Sequence, residues 1–207
     1  MRRKEFAVDD REAIESFLRE MDYGFLGTIN EAGEPRVLPL NFVWLNGCIY
    51  FHGSRAGEKM RSMAADSRVC FTVAKPYARI PSYWSDPELA CPATVYFKSV
   101  LITGRAEDVT DPAEKAEALS AFMRKLQPEG GYAPIDPADE RYARQLAGTA
   151  VVKITPDAVT AKFKFGQNMK GDKRQAVVDR LLERDGPLDR ETAELMKRLA
   201  PPDRGPQ

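Results

Sequence analysis

The chain has 207 residues, 43% hydrophobic and 30% charged, the profile of a folded domain with at most a small appendage. Its 31 Lys and Arg balance 31 Asp and Glu, so no overall basic field exists to collect nucleic acid. Three cysteines without C-x-x-C spacing and one histidine argue against a zinc site or a disulfide framework, and no run approaches the roughly 18 apolar residues of a membrane span.

The N-terminal run "MRRKEFAVDDREAIESF" has no apolar h-region, so no signal peptide is expected and the expected location is the cytoplasm. Asp9, with Glu12 three residues on, reads as a capping box, and Ile14, Phe17, Leu18 and Met21 recur on one face. That spacing predicts an amphipathic helix ending near Gly24. Strands follow at 23–29 and 36–44, joined by the turn "NEAGEP". Pro39 inside the second strand predicts irregular or edge pairing, because proline cannot donate to a ladder. Asn46-Gly47 is a hairpin signal leading into "CIYFH". A short helix over "EKMRSMAAD" and a strand at 68–74 come next. Four prolines make 75–94 a long loop or lid. A strand at 95–109 precedes a helix over 112–126, with Leu119, Phe122, Met123 and Leu126 on one face. A further helix is expected over 138–148 and a final strand pair over 150–166. Two helices then break at "DGPLD", and 201–207 is expected to fray. Six antiparallel strands with peripheral helices, and no βαβ alternation, predict a mainly β protein closed into a small barrel.

The segment "HGSRAGEKM", residues 52–60, has the chemistry of a phosphate cradle. Gly53 and Gly57 let the backbone turn its amides inward, Ser54 adds a hydroxyl, Arg55 and Lys59 add charge, and a helix begins behind them. The alternative is a polar strand-to-helix turn with solvated cations. No Walker loop or G-x-G-x-x-G fingerprint accompanies it. His52 ends a strand on the face of Cys48 and Tyr50, where a histidine is more often a hydrogen-bonded structural residue than a catalyst. No triad partner or paired carboxylates accompany it, so no catalytic residue is assigned. Tyr83 and Trp84 in "IPSYW" either cover a flat ring or pack in the core.

In order, "YGFLGTINEAGEPRVLPLNFVWLNGCIYFHGSRAGEKM", "RVCFTVA" and "FKSVLITGRAEDV" resemble the pyridoxamine 5'-phosphate oxidase-like FMN-binding split-barrel superfamily, and most of all its nitroimidazole-resistance branch. The resemblance covers roughly residues 8–170. It implies a homodimer of six-stranded antiparallel split β-barrels with FMN at the subunit interface. It also implies that Arg36, Leu38, Pro39 and Asn41 border the flavin, with Gly53, Ser54 and Lys59 at its phosphate. Ser99 would be a polar contact, and His52 would lie beside the ring. Glu58 stands where the family often has an arginine before this lysine, leaving Arg55 or Arg61 to substitute. The residues that grip substrate phosphate in true pyridoxamine phosphate oxidases are not evident at the C-terminus.

The domain reading is a split barrel over 1–170 and a C-terminal helical extension over 171–207. The functional reading is an FMN-dependent oxidoreductase of flavin- or nitro-reductase type acting on a small molecule. Its alternative is a non-catalytic flavin- or haem-binding sensor, and a deazaflavin in place of FMN stays open. "KFKFGQN" with its basic helix also resembles a transcriptional-regulator-like branch of the superfamily. The cations Lys162, Lys164, Lys170, Lys173 and Arg174 are nevertheless interleaved with Asp172, Asp179 and Glu183, which predicts a solvated helix face rather than a nucleic-acid surface.

Overall fold

The computed structural model describes residues 3–201, so all but the first residue of the tail expected to fray lies outside the described residues. In chain order, strand β1 (Ala7–Val8) and helix α1 (Arg11–Glu20) precede β2 (Tyr23–Ile29), β3 (Pro35–Asn41), β4 (Val43–Leu45) and β5 (Cys48–Gly53). Helix α2 (Glu58–Ala65) leads to the long strands β6 (Arg68–Ile80) and β7 (Thr94–Asp108). Helices α3 (Pro112–Leu126) and α4 (Glu140–Gly148), strand β8 (Ala150–Lys164), and helices α5 (Gly171–Arg184) and α6 (Asp189–Arg198) complete the chain. No described helix is long and apolar enough to cross a membrane.

The chain divides into two compact units. The larger comprises Asp10–Val73 and Val100–Val159. Its antiparallel strands run in the order β3-β2-β6-β7-β8-β5-β4. The fold is thus the split barrel that the resemblance implies, rather than the fully closed barrel that the strand pattern alone suggested. The pairing path has two ends, at β3 and β4, and eight strands are described once β1 and the three-residue β4 are counted. β2 alternates, with Gly24, Leu26 and Thr28 buried and Tyr23, Phe25 and Ile29 exposed. Phe71 packs edge-on to Phe42 with ring centroids 5.1 Å apart, and its ring lies where a side chain at Gly24 would stand.

The hairpin forms where expected. Asn46 and Gly47 both take positive φ, 51° and 80°, as a two-residue primed turn requires, and Leu45 pairs with Cys48. α3 packs on the outer side of this hairpin, where Ala118 and Phe122 join Val43, Tyr50, Val109 and Val151 in a buried cluster. α1 is capped one residue later than expected. Asp10, not Asp9, accepts from the N–H groups of Glu12 and Ala13.

The smaller unit comprises Met1–Asp9, Ala74–Ser99 and Thr160–Gln207. Here the far ends of β6, β7 and β8 pair in that order, and β1 adds to β8 through Ala7–Lys162 and Val8–Ala161. α5 and α6 form a helical pair that buries Val177, Val178, Leu181, Leu195 and Met196.

Three strand boundaries differ from expectation, each for a nonlocal reason. The strand expected over 36–44 breaks at Phe42, because Phe42 and Val43 are both buried and a straight strand would expose one of them. The expected lid over 75–94 is strand as far as Ile80. β2 pairs with β6 only through Cys70–Thr72, so Pro76 lies on a free edge that requires no donor. The expected strand pair over 150–166 is the single strand β8, and Pro156 comes just after Ile154, its last residue paired with β5.

Close approach fixes one glycine. A methyl at Gly104 would stand 2.2 Å from the backbone carbonyl oxygen of Thr155 on the neighbouring strand. Gly104→Ala is expected to lower stability by about 3 kcal/mol, the upper end of overpacking costs. Chemical denaturation checks it, and an unchanged midpoint contradicts it.

Candidate functional site

The larger unit gathers the loop after β5, the start of α2 and one end of β3. β5 is held between β4 and β8, with His52 opposite Val151 and Gly53 opposite Ala150. This fixes the point at which the chain turns into Ser54–Gly57. Ser54 closes the turn by accepting from the N–H of Ala56 at 3.2 Å. Gly57 caps α2 without a side chain, which leaves the first N–H groups of that helix open to another acceptor.

Lys59 folds back from α2 onto β5. A methyl at Gly53 would stand 3.2 Å from its Nζ, so glycine makes the room, and the ammonium lies 5.1 Å from the centroid of the Phe51 ring. Burial pushes its pKa down. Among the described residues, no carboxylate forms an ion pair with it.

The arginines differ. Arg36 donates from Nε to Glu58 at 2.9 Å and from its terminal nitrogen to Glu34 at 2.8 Å. Glu58 also accepts from Asn30 at 3.4 Å, and the hydrogen bond from Arg36, then that from Asn30, holds its carboxyl below the usual range. Arg55 lies 3.6 Å from Asp108 and Arg61 lies 3.7 Å from Glu31. Both arginines expected to stand in for the missing cation before Lys59 are thus already paired with acids. Exposed pairs of this kind are each worth at most about 1 kcal/mol, so an incoming anion can compete for them.

His52 stacks edge-on against Phe122 of α3, with ring centroids 4.8 Å apart and planes at 85°, while one side of it stays exposed. Burial against that helix lowers its pKa, and the charge on Lys59 lowers it further. Both effects favour the neutral imidazole. Sequence periodicity placed it correctly beside Tyr50. What the sequence did not disclose is that α3 covers this face, where the Tyr50 hydroxyl donates to Glu114 at 2.8 Å.

The structure thus brings together Arg36, Gly53, Ser54 and Lys59, with His52 adjoining them through Lys59. Leu38, Pro39 and Asn41 lie further along β3, Asn41 roughly 17 Å from Arg36 at strand spacing. Leu38 and Asn41 are half-buried, Pro39 is exposed, and Asn41 donates to the Asp22 carbonyl at 3.4 Å. Ser99 belongs to the smaller unit, half-buried on β7. Arg174, expected on a solvated face, is instead buried, and its guanidinium donates to the Met196 carbonyl.

Two features of the site were not anticipated. Thr28, opposite Arg36 on β2, is 4% exposed, and its hydroxyl has no partner among the described residues. It lines a cavity of about 440 Å³ with Arg36, Ile29 and Val37. On the outer face of β2 and β3, Tyr23, Phe25, Ile29 and Val37 are 57%, 47%, 42% and 67% exposed, an apolar strip with no cover in one chain. Alternation along β2 carried that signal, but not which of its two faces stays open.

Residues 10–163 match the family model described as pyridoxamine 5'-phosphate oxidase, about three-quarters of the chain. The chain belongs to the pyridoxamine 5'-phosphate oxidase family. The chain is similar to the "Protease synthase and sporulation protein PAI 2" of Bacillus subtilis, 26% identical over 200 residues, covering 94% of this chain and 95% of that protein. The fold is similar to a candidate 5-nitroimidazole antibiotic resistance protein from Bacteroides thetaiotaomicron, with a TM-score of 0.60 and 26% identity, covering 75% of this chain and 85% of that one. It is also similar to a flavocytochrome from Azotobacter vinelandii, with a TM-score of 0.64 and 26% identity, covering 83% and 75%.

Proposed function

We propose that this chain is an FMN-dependent oxidoreductase acting on a small molecule. The observation that carries the reading is Lys59, a partly buried ammonium without a carboxylate, folded onto Gly53 beside the uncapped start of α2. A phosphate there satisfies the ammonium and the open N–H groups together. The unpartnered Thr28 hydroxyl, opposite Arg36, is a further polar atom that a bound group would satisfy. FMN supplies the electron transfer when bound. The chain supplies binding, orientation and control of protons. Arg36 contributes to the phosphate only by loosening from Glu58, and Leu38, Pro39 and Asn41 border the rest of the cofactor. Similarity to the resistance protein and to the flavocytochrome supports a redox role.

With its neutral form favoured, His52 serves as a hydrogen-bond donor or orienting group. His52→Ala is expected to retain FMN while changing the rate at which the reduced protein is reoxidised by a nitro-aromatic or a quinone. Stopped-flow reoxidation beside thermal melts checks this. Unchanged rates with a lowered melting temperature make His52 a packing residue against Phe122. Failure of the wild type to turn over with any acceptor sinks the oxidoreductase reading.

The apolar strip on β2 and β3 supports a homodimer. Light scattering is expected to give twice 23.2 kDa, and Phe25→Glu with Val37→Glu is expected to give monomers. A wild-type monomer at about 10 μM, weaker than a micromolar dimer, contradicts the assembly.

A further inference from the structure

The smaller unit holds a cavity of about 660 Å³ whose lining includes Arg3, Lys162, Lys164, Lys170 and Lys173 and no carboxylate. Lys162 and Lys164, two apart on β8, share one side of that strand. The Lys162 ammonium lies 5.7 Å from the Phe6 ring centroid and 5.2 Å from that of Phe97. Lys164 donates to the Thr94 hydroxyl, and its pKa is lowered first by burial and then by Lys162 and Arg3.

The other two lysines sit where a helix least favours them. Lys170 is the N-cap of the 14-residue α5 and Lys173 falls in its first turn, so both add positive charge to an end that is already positive. No side chain caps that end. Compensation outside the lining comes from Asp172 in the first turn of α5 and from two weaker contacts. Glu5 lies 3.9 Å from Arg3, and Asp86 feels Lys173 only after the stronger N–H bonds from Leu89 and Glu88. Like charges gathered in a partly dry cavity repel one another, and a bound anion removes that repulsion. The apolar part of the wall comes from Phe6, Ile80, Tyr96, Phe97 and Met169, with Ser85, Thr94 and Asn168 as uncharged polar neighbours.

We propose that this cavity binds a phosphorylated aromatic small molecule of nucleotide size. The volume lies within the roughly 300–1,000 Å³ of small-molecule sites. The cations and the start of α5 take the phosphate, and the apolar wall takes the ring. None of these residues belongs to the Lys59 loop, so the proposal does not rest on the flavin reading.

Calorimetric titration of the full chain with ADP, adenosine and inorganic pyrophosphate tests it, using wild type and the double variant Lys170→Glu, Lys173→Glu. Both lysines are exposed, so the variant is expected to melt like wild type. The expected result is sub-millimolar ADP binding, at least tenfold weaker for adenosine and for pyrophosphate. ADP binding at least tenfold weaker in the variant, with FMN affinity unchanged, supports the site. Equal ADP affinity in both proteins, or no ADP binding up to about 5 mM, overturns it. Pyrophosphate binding as tightly as ADP overturns the aromatic part. A parallel fall in FMN affinity makes the cavity part of the flavin site and overturns its independence.

Discussion

Lys59→Ala is expected to weaken FMN binding by about 1–3 kcal/mol, roughly five- to 150-fold, with riboflavin affinity nearly unchanged. The asymmetry follows from where the ammonium sits. It has no carboxylate to fall back on among the described residues, and Gly53 lets it reach the end of β5, so the phosphate is its natural partner. Riboflavin lacks that phosphate. Glu58→Gln shifts affinity the other way, because the carboxylate that holds Arg36 at 2.9 Å loses its charge and frees the guanidinium. Fluorescence titration of both ligands against the three proteins decides the matter. If FMN and riboflavin lose affinity equally in Lys59→Ala, Lys59 is a structural residue.

The second large effect concerns the C-terminal helices. Asp189, 1% exposed, accepts from Arg184 at 2.7 and 2.6 Å and from the Gly186 N–H at 2.9 Å. Arg184 also donates to the Arg79 carbonyl at 2.9 Å and stacks on Trp84 at 4.8 Å, so one arginine joins α5, α6 and the loop after β6. Removing one partner of a buried pair costs roughly 3–5 kcal/mol. Asp189→Ala is expected near the lower end, about 3 kcal/mol, because the Arg184 side chain keeps 36% of its surface in water.

The pH dependence has a definite sign. The hydrogen bonds from Arg184 hold the Asp189 carboxyl below its ordinary 3.8. Its contribution is therefore complete above the unfolded value and is lost as pH falls through the folded one. The stability gap between wild type and Asp189→Asn is expected to be flat from pH 5 to 8 and to narrow below about pH 4. Melts across that range check it. A gap that narrows at alkaline pH instead contradicts the assignment.

Much of this was legible in the sequence because the signals were local. Asn46-Gly47 specifies its turn through two adjacent φ angles. Pro112 at the start of α3, behind the Asp111 cap, specifies a helix end. Pro76 and Pro156 misled because a proline breaks a strand only where a neighbour needs its N–H, and neighbours are a property of the sheet. The pairing of Arg36 with Glu58 spans 22 residues and was likewise out of reach, although it decides which cation stays available. Family resemblance supplied only candidate residues along β3 and β7. It did not supply their charge states.

β3 ends the pairing path of its unit, and Pro35, Val37 and Pro39 occupy alternate positions along it. Prolines are tolerated only where the ladder asks nothing of them, so this parity must turn its amides away from β2. The outward rim of the strand then carries prolines at two of these three consecutive donor sites. A second chain finds only the Val37 N–H among these three donors, so pairing onto that rim by backbone hydrogen bonds is weakened. Self-association through this part of the molecule is steered away from open-ended ribbon growth along the strand edge.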